Sequence, residues 1–314
     1  MKLKKPQFWD YKNPNFLAHL LWPLSILFQT LNSLIKIFVT KKKFDNIKTI
    51  CVGNIYIGGT GKTSLSLKIQ EILEKKNIKT CFIKKNYSNQ IDEQKILEKN
   101  GMLFMSNKRI IALKTALDQN YRVAIFDDGL QDMTIDYDLS FVCFNNLNWI
   151  GNGNVIPSGP LRENVKNIKK FNYIFLNGNL ENLESIKEEI FKINPKIKIF
   201  IGKYVPQNLD EFDNKKKYLA FSGIGNHSTF VSMLKKNNFN VIKDIEYPDH
   251  YNYSKNDMDD LISISQNLDC DILTTEKDYI RLKKYKINEI RFVSVKIEII
   301  NEEKFIEILS NVYE

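Results

Sequence analysis

The sequence is poor in the two residue types that most often hold transition metals. Among 314 residues there are four cysteines and three histidines. The cysteines are widely separated and match neither the spacing of a zinc site nor a disulfide framework, which is typical of a protein in a reducing compartment. We expect all four to be buried structural thiols, namely Cys51, Cys81, Cys143 and Cys270.

A stretch near the N-terminus lacks charge altogether. No Lys, Arg, Asp or Glu occurs between residues 13 and 35, and leucine and phenylalanine recur there at helical spacing. Asp10 and the lack of a small-residue cleavage site argue against a signal peptide, and interrupting polar residues make the run a poor spanning helix. Lysines on both sides favour a helix that lies on anionic lipid. The alternative is a helix packed on the protein's own core, and in either case Pro23 is expected to kink or split it.

The most informative feature that is present is a glycine-rich loop. A β-type run over 48–52 leads into Gly58-Gly59-Thr60-Gly61-Lys62-Thr63, and a helical pattern follows to about Lys75. This order is typical of a phosphate-binding loop (P-loop), in which backbone N–H groups and a helix N-terminus face an anion. Lys62 is expected to reach the β- and γ-phosphates of a nucleotide, and the Thr63 hydroxyl to ligate Mg²⁺. The alternative is a glycine-rich turn that binds nothing.

One position departs from the usual pattern of such loops. The pattern G-x-x-x-x-G-K-[ST] places glycine at position 56, where this chain has Tyr56. We therefore expect Gly58 and Gly59 to provide the flexibility of the loop.

A second element of phosphate chemistry is an apolar run over 123–126 that ends in Asp127 and Asp128. A buried strand that ends in aspartate after a P-loop is a Walker-B arrangement, and ligands bind at the carboxyl ends of parallel strands. One of the two carboxylates is expected to hold Mg²⁺, directly or through water. Aspartates that only turn the chain at the strand end are the alternative.

The chain alternates between strand-like and helical patterns, without repeats or low-complexity linkers. The predicted strands are 48–53, 79–84, 122–127, 140–145, 172–177, 197–201, 217–221, 239–245, 271–274 and 290–295. The predicted helices are 63–75, 107–118, 182–192, 228–236, 255–267 and 302–312. This alternation indicates an α/β fold, with a P-loop NTPase-like parallel sheet and helices on both of its faces.

A polar stretch around 206–217 predicts a domain boundary. Residues 1–44 are expected to form the apolar helical segment that contacts a membrane, and 45–206 the P-loop core. Residues 207–314 are expected to form a smaller α/β domain that contributes to the active-site cleft.

The charge of the chain narrows the classes of partner. The formal net charge is +9, which fits an anionic partner, but the lysines are dispersed and form no basic-aromatic nucleic-acid motif, so we expect no nucleic-acid partner. The string Thr275-Glu276-Lys277-Asp278 has Glu where a guanine-reading motif needs Lys, which disfavours a GTPase. Two functions remain open, a kinase with a small acceptor and a membrane-associated P-loop ATPase that acts as a switch or loader.

Several strings occur in the order of one known family. They are Gly58-Gly59-Thr60-Gly61-Lys62-Thr63, Asp127-Asp128-Gly129-Leu130-Gln131, the run from Gly151 to Glu163, Gly223-Ile224-Gly225, Pro248-Asp249-His250-Tyr251 and Thr275-Glu276-Lys277-Asp278. The chain resembles the tetraacyldisaccharide 4'-kinase family of lipid A synthesis, from the apolar N-terminal run to past residue 280. The family also lacks the first glycine of the loop, in agreement with Tyr56.

This resemblance implies transfer of the ATP γ-phosphate to the 4'-hydroxyl of an acylated glucosamine disaccharide 1-phosphate, with Mg²⁺ as cofactor. The acceptor would lie in the cytoplasmic face of the bacterial inner membrane, where the N-terminal helix touches lipid. Asp92, in the string Ile91-Asp92-Glu93-Gln94, would be the catalytic base. His250 would assist Asp92, Arg162 would steady the charge of the transferred phosphate, and Lys62 with Mg²⁺ on Thr63 and Asp128 would hold ATP.

For His250 and Arg162, the local sequence indicates a role independently of the resemblance. His250 lies between Pro248-Asp249 and Tyr251 in a loop pattern, where a histidine with a carboxylate partner can take or orient a proton, although a structural role is the alternative. Arg162 lies in a Pro/Gly-rich loop and suits phosphate or carboxylate contact, and a surface pair with Glu163 is the alternative.

One string departs from the family pattern. The family usually carries Ser-Arg-Gly-Tyr-Gly-Gly before the catalytic Asp, and this chain has Lys84-Lys85-Asn86-Tyr87-Ser88-Asn89. We expect Lys85 to replace the charge of the arginine, but not the bidentate contact of a guanidinium.

Overall fold

The computed structural model describes residues 5–87 and 90–313, which contain two β-sheets and the helices that cover them. The strands are β1 (Lys48–Gly53), β2 (Thr80–Lys85), β3 (Leu103–Ser106), β4 (Val123–Asp127), β5 (Leu139–Asn145), β6 (Tyr173–Asn177), β7 (Lys198–Pro206), β8 (Lys217–Ser222), β9 (Asn240–Glu246), β10 (Asp271–Thr275), β11 (Ile290–Val293) and β12 (Val295–Ile300). The helices are α1 (Phe16–Ile37), α2 (Lys62–Lys75), α3 (Ile91–Asn100), α4 (Arg109–Asp118), α5 (Leu183–Ile193), α6 (His227–Lys236), α7 (Lys255–Leu268), α8 (Glu276–Leu282) and α9 (Glu302–Tyr313).

The large sheet has the strand order β12-β7-β6-β5-β1-β4-β2-β3. All neighbours in it are parallel except β12, which runs antiparallel to β7. Its central strands are apolar on both faces because helices cover both faces. One face packs against α2 and α9, and the other against α4 and α5. The predicted α/β class is confirmed, and β1 and β4 bring the P-loop and Asp127 to neighbouring strand ends.

The small sheet has the order β11-β10-β8-β9, with every pair parallel. Helix α6 packs on one of its faces, and α7 with α8 on the other. Residues 295–313 do not join it, although the sequence analysis placed all of 207–314 in the smaller domain. Instead, β12 pairs with β7 and α9 packs on the large sheet, because the alternating apolar residues of β12 and one apolar face of α9 complete that core. The sequence analysis also missed α3, β3, α8 and β12 itself.

The two sheets come together at the P-loop. A Cβ atom added to Gly59 would lie 3.1 Å from the backbone of both Gly225 and Asn226, and one added to Gly225 would overlap the nitrogen of Gly59. This contact needs glycine on both sides, since any side chain would push the loops apart. The small sheet is therefore held against the edge of the large sheet that carries this loop.

Helix α1 is a single continuous helix that includes Pro23, so the predicted split does not occur. Its contacts with the rest of the protein include two small buried residues, Ala18 and Ser25, and the partly buried Phe28. The Ser25 hydroxyl donates to the Val155 carbonyl at 2.7 Å, and the Ser158 hydroxyl donates to the Ala18 carbonyl at 2.6 Å.

Most large apolar side chains of α1 are exposed, which disagrees with a helix packed on the protein's own core. They include Phe16, Leu17, Leu20, Leu24, Leu27, Leu31, Leu34 and Ile35. By length and composition the helix could cross a membrane.

Candidate active site

The P-loop connects β1 to the N-terminus of α2. Gly61 is the residue before the helix and has a φ of 78°, a left-handed conformation that favours glycine. A Cβ atom there would also lie 2.7 Å from the Tyr204 hydroxyl, so the position has no room for a side chain. Two side-chain amides fix the loop: Asn54 Nδ2 donates to Thr60 Oγ1 at 2.9 Å, and Asn177 Nδ2 donates to the Thr60 carbonyl at 2.8 Å.

Tyr56, in place of the usual glycine, joins the P-loop to the N-terminal segment. Its ring is buried against Val155 and Leu161, and its hydroxyl donates to Asp10 Oδ1 at 2.7 Å. Lys5 Nζ in turn lies 2.7 Å from Asp10 Oδ2. Tyr56 thus departs from the loop pattern and packs the loop against the N-terminal segment and the loop of Val155 and Leu161.

Asp127 lies at the end of β4 on the face of the sheet that α2 covers. Its carboxylate oxygens accept from Thr63 Oγ1 at 3.4 Å and from Ser66 Oγ at 3.3 Å. A fully buried carboxylate beside the threonine of the loop is the arrangement that the sequence analysis expected of a Walker-B aspartate.

Asp128 faces the cations of the site. Arg162 contacts it with two nitrogens, Nη1 to Oδ1 at 2.8 Å and Nη2 to Oδ2 at 3.3 Å, and Lys62 Nζ lies 3.9 Å from Oδ1. Burial raises the pKa of Asp128, but the charges of Lys62 and Arg162 outweigh it and hold the pKa well below its ordinary value. Its backbone is left-handed, with a φ of 61°, and Arg109 Nη2 donates to its carbonyl at 2.6 Å.

Asp92 is buried in the first turn of α3 and is paired with the small sheet. Arg281 Nη2 lies 2.6 Å from its Oδ2, and His250 Nδ1 lies 3.3 Å from its Oδ1. Burial raises the pKa of Asp92, but the hydrogen bond to His250 and the charge of Arg281 outweigh it, so the pKa lies well below its ordinary value. The carboxylate is therefore ionised at neutral pH and can accept a proton or orient a hydroxyl.

Glu93, the next residue, contacts a lysine of the large sheet and a lysine of a helix that packs on the small sheet. Its Oε2 lies 2.8 Å from Lys84 Nζ, on β2, and its Oε1 lies 2.9 Å from Lys277 Nζ, on α8. Lys84 Nζ also lies 2.5 Å from Asp127 Oδ2. A continuous series of charges thus runs from the P-loop side to the segment that carries Asp92.

The structure brings the predicted residues into two connected groups. The P-loop residues, Asp127, Asp128 and Arg162 form one, and Asp92 and His250 form the other. Lys85, expected to replace a family arginine, instead lies over the ring of Tyr87, with Nζ 5.4 Å from its centroid. Ser88 and Asn89, in the same string, lie outside the described residues.

Sequence reasoning assigned no role to Arg281, Lys277, Lys84 or Asn177, although all four contact the predicted site. The sequence did contain an indication of the position of Arg281. It lies three residues after Asp278, and side chains at this spacing share one face of a helix. Arg281 Nη1 lies 2.7 Å from Asp278 Oδ1, so this pair orients the guanidinium towards Asp92.

Comparison with known proteins identifies the family of this site. A family model described as tetraacyldisaccharide-1-P 4'-kinase matches residues 17–314. The chain belongs to this family. Its relatives of known name are kinases, so the alternative of a P-loop ATPase switch or loader is not favoured.

The kinase is 59% identical over 304 residues to the tetraacyldisaccharide 4'-kinase of Pelagibacter ubique (strain HTCC1062), with 96% of each chain covered. It is 33% identical over 319 residues to the protein of the same name from Rickettsia typhi, again with 96% of each chain covered. A solved structure of a family member from Aquifex aeolicus, described as an "apo" form in complex with ATP, matches with a TM-score of 0.69 and 23% identity. That match covers 95% of this chain and 100% of the other, and it shows that the fold is shared.

Proposed function

We propose that the protein transfers the γ-phosphate of ATP to the 4'-hydroxyl of a tetraacyl glucosamine disaccharide 1-phosphate, a step of lipid A synthesis. The observation that carries this proposal is the link from Thr63 through Asp127, Lys84 and Glu93 to Asp92. This series of contacts connects the P-loop to a buried, ionised carboxylate and supports a site with both a nucleotide position and an acceptor base. An ATPase switch needs no such second carboxylate, whereas transfer to an alcohol does.

ATP would bind with its phosphates on the loop from Gly58 to Thr63. The left-handed Gly61 and the N-terminus of α2 direct backbone N–H groups at this position. Lys62 would neutralise the β- and γ-phosphates, and Arg162, held by Asp128, would lie beside the charge that develops in the transition state.

The residues at the start of α2 fit a magnesium ion. Thr63 and Asp127 supply a hydroxyl and a carboxylate oxygen, and Mg²⁺ takes such donors together with phosphate oxygens and water. When bound, Mg²⁺ neutralises charge on the β- and γ-phosphates. The resemblance pairs Thr63 with Asp128, but both aspartates contact a cation, Asp128 with Arg162 and Asp127 with Lys84. We propose Thr63 and Asp127 as the principal pair because the Thr63 hydroxyl lies 3.4 Å from the Asp127 carboxylate.

Asp92 would accept the proton of the 4'-hydroxyl as the oxygen bonds to the γ-phosphorus and the bond to ADP breaks. Its low pKa makes it a weak base, which suits a loose transition state in which the hydroxyl is positioned first and loses its proton late. His250 and Arg281 hold the carboxylate in place.

The enzyme would bind the acceptor at a membrane surface, the cytoplasmic face of the bacterial inner membrane. The exposed apolar side chains of α1 and the lysines at its two ends support an interfacial position on anionic lipid.

The direct test is a transfer assay with γ-labelled ATP and the disaccharide 1-phosphate in mixed detergent micelles. We expect label in the lipid product, and ATP turnover that depends on the acceptor. Equal ATP hydrolysis with and without acceptor, and no labelled lipid, would contradict the proposal and favour the ATPase.

A double substitution on α1, Leu20→Glu with Leu31→Glu, tests the membrane contact. Burial of each leucine contributes about 1.5–3 kcal/mol, so we expect binding to anionic phospholipid vesicles to fall at least about tenfold while thermal stability is unchanged. The matched control is Ile111→Glu, an equally exposed apolar residue on α4. Unchanged vesicle sedimentation would remove α1 from the membrane contact, and a marked loss of stability would show that these leucines pack on protein.

A further inference from the structure

Lys84 is a lysine inside the protein, at the end of β2. Its side chain is 1% exposed, and its ammonium contacts two carboxylates, Asp127 at 2.5 Å and Glu93 at 2.8 Å. Burial lowers the pKa of a lysine, but the charges of Asp127 and Glu93 outweigh it, and the pKa of Lys84 is raised above its ordinary value. The side chain is therefore a fixed positive charge between two negative ones.

The register between β2 and β4 places the Lys84 ammonium beside Asp127. Ile83 is paired with Phe126 in the parallel ladder between β2 and β4, so the next residues, Lys84 and Asp127, lie side by side on one face. Helix α2 covers this face and presents Thr63 to the same Asp127 oxygen that Lys84 contacts. Lys84 is thus adjacent to the predicted metal and phosphate position.

The first turn of α3 depends on such contacts for its position. Gln90, the residue before the helix, makes no side-chain capping hydrogen bond. Instead, Asp92 is held by Arg281 and His250, and Glu93 by Lys277, all from the small-sheet side. Among the described ion pairs of these two carboxylates, the one with Lys84 is the link to the large sheet.

We propose that Lys84 is a positioning residue for phosphoryl transfer, which holds the turn that carries Asp92 at a fixed place relative to Asp127 and the P-loop. The inference rests on the proposed function, because it concerns the distance between the acceptor base and the nucleotide. Lys84 touches neither substrate in this scheme and acts through Glu93 and Asp127.

The test compares Lys84→Met, Glu93→Gln and the double variant with wild type. Methionine keeps the length of the side chain without its charge. Displacement of a reacting group by about 1 Å can cost about 10²-fold in rate, so we expect kcat of Lys84→Met to fall by about that factor. The matched control is Lys79→Met, an exposed lysine immediately before the same strand, which should leave kcat unchanged.

The double variant separates positioning from stability. Lys84→Met alone leaves two buried carboxylates without their shared cation and is expected to lower the melting temperature. Adding Glu93→Gln removes one of those charges, so stability should recover while kcat stays low, since the link is still missing. Recovery of kcat together with stability would show a purely structural role and overturn the inference. If Lys84→Met fails to fold, the double variant carries the test alone.

Two further readouts respond to the charge itself. In Lys84→Met, Glu93 keeps Lys277 but loses its second cation, so its charge should raise the pKa of Asp92 and shift the acid limb of the kcat/KM profile to higher pH. The double variant should reverse this shift. Calorimetric binding of MgADP should be retained or tighter, because a cation next to Asp127 has been removed. Loss of MgADP binding, or wild-type kcat in folded Lys84→Met, would contradict the inference. Absence of lipid phosphorylation by wild type would instead contradict the proposed function.

Discussion

Lys62→Ala is expected to nearly abolish transfer to the lipid acceptor without unfolding the protein. Lys62 starts α2 beside the P-loop, and its ammonium lies 3.9 Å from Asp128, in the cationic part of the cleft. Loss of a donor that faces developing charge costs on the order of 10²–10³-fold in kcat, and Lys62 would serve the transferred group itself. The measurement is kcat with saturating acceptor, together with the melting temperature of the variant.

Lys75→Ala, at the far end of the same helix, is the matched control. That lysine is exposed and pairs with Glu71 one turn earlier, so its loss should change the rate little. A folded Lys62→Ala enzyme that keeps more than about a tenth of the wild-type rate would show that this loop does not bind the transferred phosphate.

Asp92→Asn is expected to lower the chemical step by about 10²–10⁴-fold, the usual contribution of a general base. Asparagine keeps the shape and the contact with Arg281 but cannot take the proton. Since Asp92 contacts Arg281 and His250 and no P-loop residue in the described ion pairs, ATP affinity should change little. Single-turnover transfer and equilibrium nucleotide binding measure the two quantities separately.

His250→Ala and the double variant show whether the pair acts as a unit. His250 contacts Asp92 at 3.3 Å, so its loss should slow the same step, and the double variant should be barely slower than Asp92→Asn alone. Losses that multiply would indicate independent roles. If Asp92→Asn works at a near-normal rate, Asp92 is not the base, and Glu93 and Asp127 become the candidates.

The parts of the site that lie next to each other in the sequence were predictable, and the long-range pairs were not. The P-loop and Asp127 each follow a strongly apolar strand, so local pattern and the parallel-sheet rule together placed them at one edge. Arg281 reaches Asp92 across 189 positions of the chain, and no local pattern encodes such a contact. Helix α3 was missed because its buried face includes the polar residues Asp92, Glu93 and Gln94, so the sequence shows no apolar period there.

The burial of Lys84 could not be predicted for a different reason. In a strand pattern a lysine next to a strand end indicates an exposed position, because buried lysines are rare unless paired. Its burial follows from two carboxylates that only the fold brings near it, one from β4 and one from α3. The same holds for β12, whose place at the edge of the large sheet depends on pairing with β7, far away in the sequence.

The contact of Tyr56 with the N-terminal segment has a consequence for how the enzyme would bind its lipid acceptor. The Tyr56 ring packs against Val155 and Leu161, and Phe28 of α1 packs against the same cluster. The Tyr56 hydroxyl donates to Asp10, which lies shortly before α1. The nucleotide loop and the proposed membrane helix are therefore in direct contact. With α1 on a bilayer, the ATP site would be held close to the lipid surface, and the sugar headgroup would have to extend out of the bilayer to reach it while its acyl chains stay in the lipid. The length by which a headgroup can extend would then help to set which glycolipids can be phosphorylated.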